Sequence, residues 1–189
     1  MKRLIYLIFV IVSLSGCQKQ GMMQQLVEID SIANKEGDQK AMKLLENILP
    51  ESIDDEESLA YYWLLKMRTE IRLQKEINSL EPLEQPIRYY KKQHNYEKLA
   101  RVYCYKAHIL TNVGELKNAS ITLKEAESLL KHMSKDLNLA NYIYYYLGNI
   151  NYKGKEHDLA LNYTKLSLKT SYRMKSDYDI AFALMGIYA

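Results

Sequence analysis

Cys17 closes the stretch "IVSLSGCQKQ", where an apolar run gives way to small residues and then to a thiol. A thiol in that setting is a candidate nucleophile for a covalent modification. The other cysteine is Cys104, which has no second internal thiol to pair with once Cys17 is engaged elsewhere. The four histidines, His94, His108, His132 and His157, are scattered, without the spacing to Cys, Asp or Glu that a metal site requires. There is no phosphate-cradling glycine loop and no Gly-x-Ser-x-Gly elbow. The expected chemistry is one modification at Cys17, with no catalysis, no metal and no cofactor.

The residues ahead of Cys17 have three parts. Lys2 and Arg3 give a short basic start, Leu4 to Val12 is an unbroken apolar run, and Ser13-Leu14-Ser15-Gly16 turns small. A bilayer-spanning helix needs about 20 apolar residues, roughly twice this run. Residues 1–16 therefore read as a secretory signal peptide. Leu14-Ser15-Gly16-Cys17 resembles the lipobox of bacterial lipoproteins. That resemblance implies a diacylglyceryl group on the Cys17 sulfur, cleavage just before it, and a membrane anchor of several acyl chains. Gln18 stands where Asp would favour retention in the inner membrane. The expected location is the cell envelope, with the outer membrane favoured, and residues 17–21 form a short tether.

Loss of residues 1–16 leaves 173 of 189 residues, and loss of Lys2 and Arg3 takes the formal charge from +3 to +1. A nearly neutral chain gives no electrostatic reason to expect direct nucleic-acid contact. What remains is rich in Leu, Lys, Glu, Ala and Tyr, with few β-branched runs, and predicts helices. Pro50, Pro82 and Pro86 are expected at helix boundaries. Asp54-Asp55-Glu56-Glu57 precedes the apolar-periodic stretch "SLAYYWLLKM" and reads as a helix start, where acids cap amides and complement the dipole.

Two stretches are copies of one pattern. "YCYKAHILTNVGELKNASITLKEA" from Tyr103 and "YYYLGNINYKGKEHDLALNYTKLS" from Tyr144 each place a small residue four positions past an aromatic (Ala107, Gly148). A glycine-containing break follows (Gly114, Gly154), then an alanine twelve residues past the small position (Ala119, Ala160). Small residues let two helices lie close, and the glycines let the chain reverse. This arrangement resembles the tetratricopeptide repeat (TPR), and Phe182 with Gly186 opens a further copy. The resemblance implies an all-α fold, a right-handed solenoid of antiparallel helix pairs. Ala107 to Gly148 is 41 residues and Gly148 to Gly186 is 38, against a family period of about 34; helices longer by one or two turns are expected to hold the excess. Asn151 and Thr164 depart from the family's large residues at their positions.

Residues 22–98 read as degenerate helical pairs, with turns at Gly37 and near His94-Asn95, and residues 99–189 as better repeats. The last of these, "DIAFALMGIYA", is a first helix without its partner. It is expected to continue in a longer protein or to dock on another subunit.

In the tetratricopeptide family a groove is lined by positions two before, one after and five after the aromatic. Carried onto this chain, the register selects Arg101, Cys104 and His108, with Thr111 and Asn112 beyond them. In the next repeat it selects Tyr142, Tyr145 and Asn149, followed by Tyr152 and Lys153. Tyrosines and amides make an adaptable contact surface at low entropic cost. The set lacks the Lys/Asn pattern of carboxylate-clamp repeats. The expected function is a lipid-anchored scaffold that binds a protein or peptide in the envelope. Alternatives are the sensory part of a membrane-tethered transcriptional regulator and a glycan-binding outer-membrane lipoprotein.

Overall fold

The computed structural model describes residues 21–133 and 136–188. The signal peptide, Cys17 and most of the tether lie outside the described residues. All regular structure among those described is helical. The order is α1 over 21–35, α2 Asp38–Glu46, a 3-10 turn Pro50–Ser52, α3 Glu56–Arg72, α4 Glu81–Lys92, α5 Tyr96–Asn112, α6 Leu116–Leu129, a second 3-10 turn Leu130–His132, α7 Leu137–Lys153, α8 His157–Met174 and α9 Asp177–Tyr188. None of the described helices is long and apolar enough to cross a membrane.

Local sequence explains where these helices begin. Asp55, Asn95 and Asp136 each accept a backbone N–H three residues on, from Ser58, Lys98 and Leu139, and so start α3, α5 and α7. Asp55 caps with Glu56 and Glu57 behind it, as the acidic run predicts. Pro50 opens a 3-10 turn and Pro82 sits in the first turn of α4. Pro86 departs from expectation: it lies inside α4 and is buried. It lacks the N–H that would bond to the Pro82 carbonyl, so α4 goes without one bond of its ladder there.

The contacts divide the described chain after Ile77; residues 98 and 99 both lie inside α5. The first unit packs α2 on α3 around Ala41, Met42 and Leu45. Asp30 of α1 ties that helix to α3 by accepting from the Tyr61 hydroxyl at 2.7 Å and pairing with Arg68 at 2.6 Å. The second unit packs its helices in sequence, α4 on α5, α5 on α6, α6 on α7, α7 on α8 and α8 on α9. Its core is built from one face of α5 (Ala100, Cys104, Ala107, Leu110), one of α6 (Ala119, Leu123, Ala126) and one of α7 (Leu139, Ile143, Leu147, Ile150). This all-α fold with neighbouring pairs is compatible with a helical repeat.

The turns repeat more faithfully than the sequence. After α3, α4, α5, α7 and α8 a left-handed residue breaks the helix: Gln74, His94, Gly114, Lys155 and Lys175. The next amide then bonds back to the carbonyl five residues earlier: Lys75 to Glu70, Asn95 to Tyr90, Glu115 to Leu110, Glu156 to Asn151 and Ser176 to Ser171. This is the bond of a Schellman stop. Gly154 does not supply the positive φ expected of it, since Lys155 does at 63°. The excess repeat length also divides differently. Between Ala107 and Gly148 the 3-10 turn Leu130–His132 and the connection after it take up residues. Between Gly148 and Gly186 the extra length is helical, α8 having 18 residues where α6 has 14.

Candidate functional site

Helices α5, α7 and α9 run side by side in the second unit, and aromatic rings step from one to the next. His108 of α5 lies 6.3 Å from Tyr146 of α7, Tyr146 lies 5.3 Å from Tyr145, and Tyr145 lies 6.2 Å from Phe182 of α9 (centroid distances). These contacts are edge-to-face, with ring planes 72° to 89° apart. Tyr142 tilts over Tyr146 at 4.4 Å and Tyr178 over Phe182 at 4.7 Å. Along α7, Tyr142, Tyr145, Asn149 and Tyr152 fall at intervals of three and four on one side, and Tyr146 lies one turn past Tyr142.

Polar groups punctuate it. The Asn112 amide sits 3.2 Å from His108 Nε2, and burial holds the half-buried His108 ring below the ordinary imidazole range, favouring its neutral form. Asn149, Tyr152 and Lys153 are exposed at the far end of α7. Burial, with neighbouring phenols adding to it, raises Tyr142 well above the usual tyrosine range. Burial also raises Tyr146, so both stay neutral at physiological pH. Thr111 is turned inward on its own helix and donates to the Ala107 carbonyl.

Two of the residues selected by the register do other work. Cys104 is 2 % exposed and belongs to the core, where Tyr142 and Tyr146 lie beside it and burial pushes its thiol up. A small side chain at that position is roofed by the tyrosines of α7, so it does not line a groove. Arg101 is held by carboxylates, donating to Glu97 one turn back and to Asp136 at 2.7 Å. Asp136 also caps α7, so Arg101 fixes the start of that helix against α5. Tyr146 and Phe182, by contrast, fall outside the register and join the row. The signal that could have found Tyr146 is its i,i+4 relation to Tyr142.

A cavity of about 110 Å³ opens where the row crosses from α7 to α9. Tyr145, Asn149 and Tyr152 line it from α7, Thr164 from α8, and Phe182 and Gly186 from α9. Behind the row two bridges fix the frame. The Tyr163 hydroxyl of α8 donates to Glu127 of α6 at 3.0 Å, and burial together with that carboxylate raises the phenol to about 12. Buried Asn141 of α7 accepts from Ser167 and Ser171 of α8 at 2.8 and 3.3 Å. Among the described residues no three His, Cys, Asp or Glu side chains gather as a metal site would need. Compared with known proteins, the sequence matches no family model and no curated protein.

Proposed function

We propose that this chain is a tetratricopeptide-like scaffold, anchored by lipid at Cys17 in a bacterial cell envelope, that binds a segment of another protein along α5, α7 and α9. The observation that carries the reading is the row His108, Tyr146, Tyr145 and Phe182, shared among three first helices of successive pairs. Tyrosine rings give contact area while ordering few torsions, and the amides of Asn112 and Asn149 add hydrogen bonds that adapt to a peptide backbone. The mechanism is passive. The packed helices hold the face ready, and the anchor raises the local concentration of partners at the membrane.

A protein ligand suits this face better than a glycan. Sugars stack on open ring faces, whereas these rings turn their faces and edges toward one another. The test is a photo-crosslinking amino acid placed in cells at Tyr152, or at Lys169, which is exposed on α8. A discrete protein adduct from position 152 and none from 169 is expected. Equal adducts from both, or none from 152, would overturn the binding face. The intact mass of the membrane-extracted protein tests the anchor, which predicts a chain starting at Cys17 and carrying acyl groups.

A further inference from the structure

We infer that the cavity between α7 and α9 is an anchor pocket for one branched aliphatic side chain, of leucine type, from the bound peptide. The inference rests on the reading of the α5, α7 and α9 face as peptide-binding, and it adds what the peptide must carry. The cavity exists because two positions lack side chains. A Cβ added to Gly148 would meet the Thr164 hydroxyl at 2.8 Å, and one added to Gly186 would meet the Thr164 methyl at 3.3 Å. Thr164 thus lies between two bare stretches of helix, and the space above it is walled by Tyr145 and Phe182.

Size selects the occupant. A dry cavity of about 150 Å³ holds benzene, so one of about 110 Å³ suits an isobutyl group better than an indole or phenol. Charge agrees with this, because among the described residues no lysine, arginine or carboxylate lines the cavity. The exposed Asn149 amide stands among its lining groups, where a main chain carrying the buried side chain would pass. The ring row beside it matches a short extended segment, on the order of five residues at about 3.4 Å each. A free aliphatic molecule would use the cavity and leave that row empty, so the geometry fits a peptide better.

The test uses the full chain with methyl-labelled threonine and alanine, titrated with pools of blocked pentapeptides. The pools share randomised flanks and differ only in a central Leu, Ala or Phe. The Thr164 and Ala183 methyls should report apparent binding of the Leu pool at least about tenfold tighter than of the Ala pool. In Gly186→Ala, which adds a methyl against the cavity wall, that preference should vanish. Lys169→Ala, on the exposed side of α8 and outside the cavity lining, should keep it. Equal binding of Leu and Ala pools, with the Thr111 methyl of α5 still responding, overturns the anchor while sparing the binding face. Stronger binding of the Phe pool overturns the size assignment. No response to any pool along α5, α7 and α9 overturns anchor and face together.

Discussion

Gly148 of α7 lies against Thr164 of α8 so closely that a Cβ on the glycine would sit 2.8 Å from the threonine hydroxyl. That hydroxyl cannot swing away freely, because it donates to the Ala160 carbonyl one turn back at 2.8 Å. The helix pair is therefore set by the absence of one side chain. Gly148→Ala should destabilise the protein by about 1–3 kcal/mol, the cost of overpacking. Adding Thr164→Ala removes the colliding atom, leaving only ordinary contacts of 3.4 and 3.5 Å to backbone. The double variant should accordingly be more stable than Gly148→Ala alone. Urea unfolding of the four-member cycle measures this coupling, and strict additivity would contradict it.

The recurring left-handed turn gives a second expectation of the opposite sign. Lys155 has φ 63° and is exposed, so its Cβ strains the backbone without packing in return. An L-residue in that region costs about 1–2 kcal/mol, and glycine's extra chain entropy returns about 0.5–1 kcal/mol of that. Lys155→Gly should stabilise by up to about 1.5 kcal/mol. Gly114→Ala should do the reverse, since Gly114 has φ +84° and open space around it, so that strain alone decides the outcome. Thermal unfolding of both variants checks the pair of signs.

These turns also explain how much could be read in advance. The start of α3 was legible because the acidic run holding Asp55 precedes a periodic apolar stretch. Asn95 falls in an expected turn, whereas the cap Asp136 was not singled out. The turns were legible where Gly114 marks one and near His94-Asn95, and were missed where Gln74 makes the same turn without glycine. The register placed Tyr145 and Asn149 beside the cavity because both lie on one helix face, and helical spacing is a local property. Cys104 escaped it because its burial is decided by Tyr142 and Tyr146, about forty residues on. Pairings such as Ser167 with Asn141 are long-range in the same sense.

That Asn141 pairing carries its own expectation. Its Oδ1 accepts from two serines, and all three residues are buried. Asn141→Ala leaves the Ser167 hydroxyl without that acceptor, at a cost of about 1–3 kcal/mol. The Ser171 hydroxyl still donates to the Ser167 carbonyl at 2.9 Å, so Ser171→Ala should cost less than Asn141→Ala. Denaturant midpoints of the two variants rank them, and the reverse order would remove Asn141 as the hub of the α7–α8 seam.

Acid should act on the first unit through Asp30. Burial by itself raises this carboxyl, but hydrogen bonds from Tyr61 and Arg68 and the guanidinium charge outweigh burial and hold it below the usual range. A carboxyl depressed by folding adds stability that is fully present above its unfolded value, about 3.9. That stability is lost as pH falls through the lower folded value. Asp30→Asn should cost about 1.5–3 kcal/mol at neutral pH, in line with charged hydrogen bonds. It should also flatten the acid limb of the stability curve below about pH 4. Trp63 is the single tryptophan and lies on α3, in the same unit as Asp30 and Arg68, so its fluorescence isolates the response of that unit. An acid limb equally steep in wild type and Asp30→Asn would mean that other carboxylates govern acid unfolding.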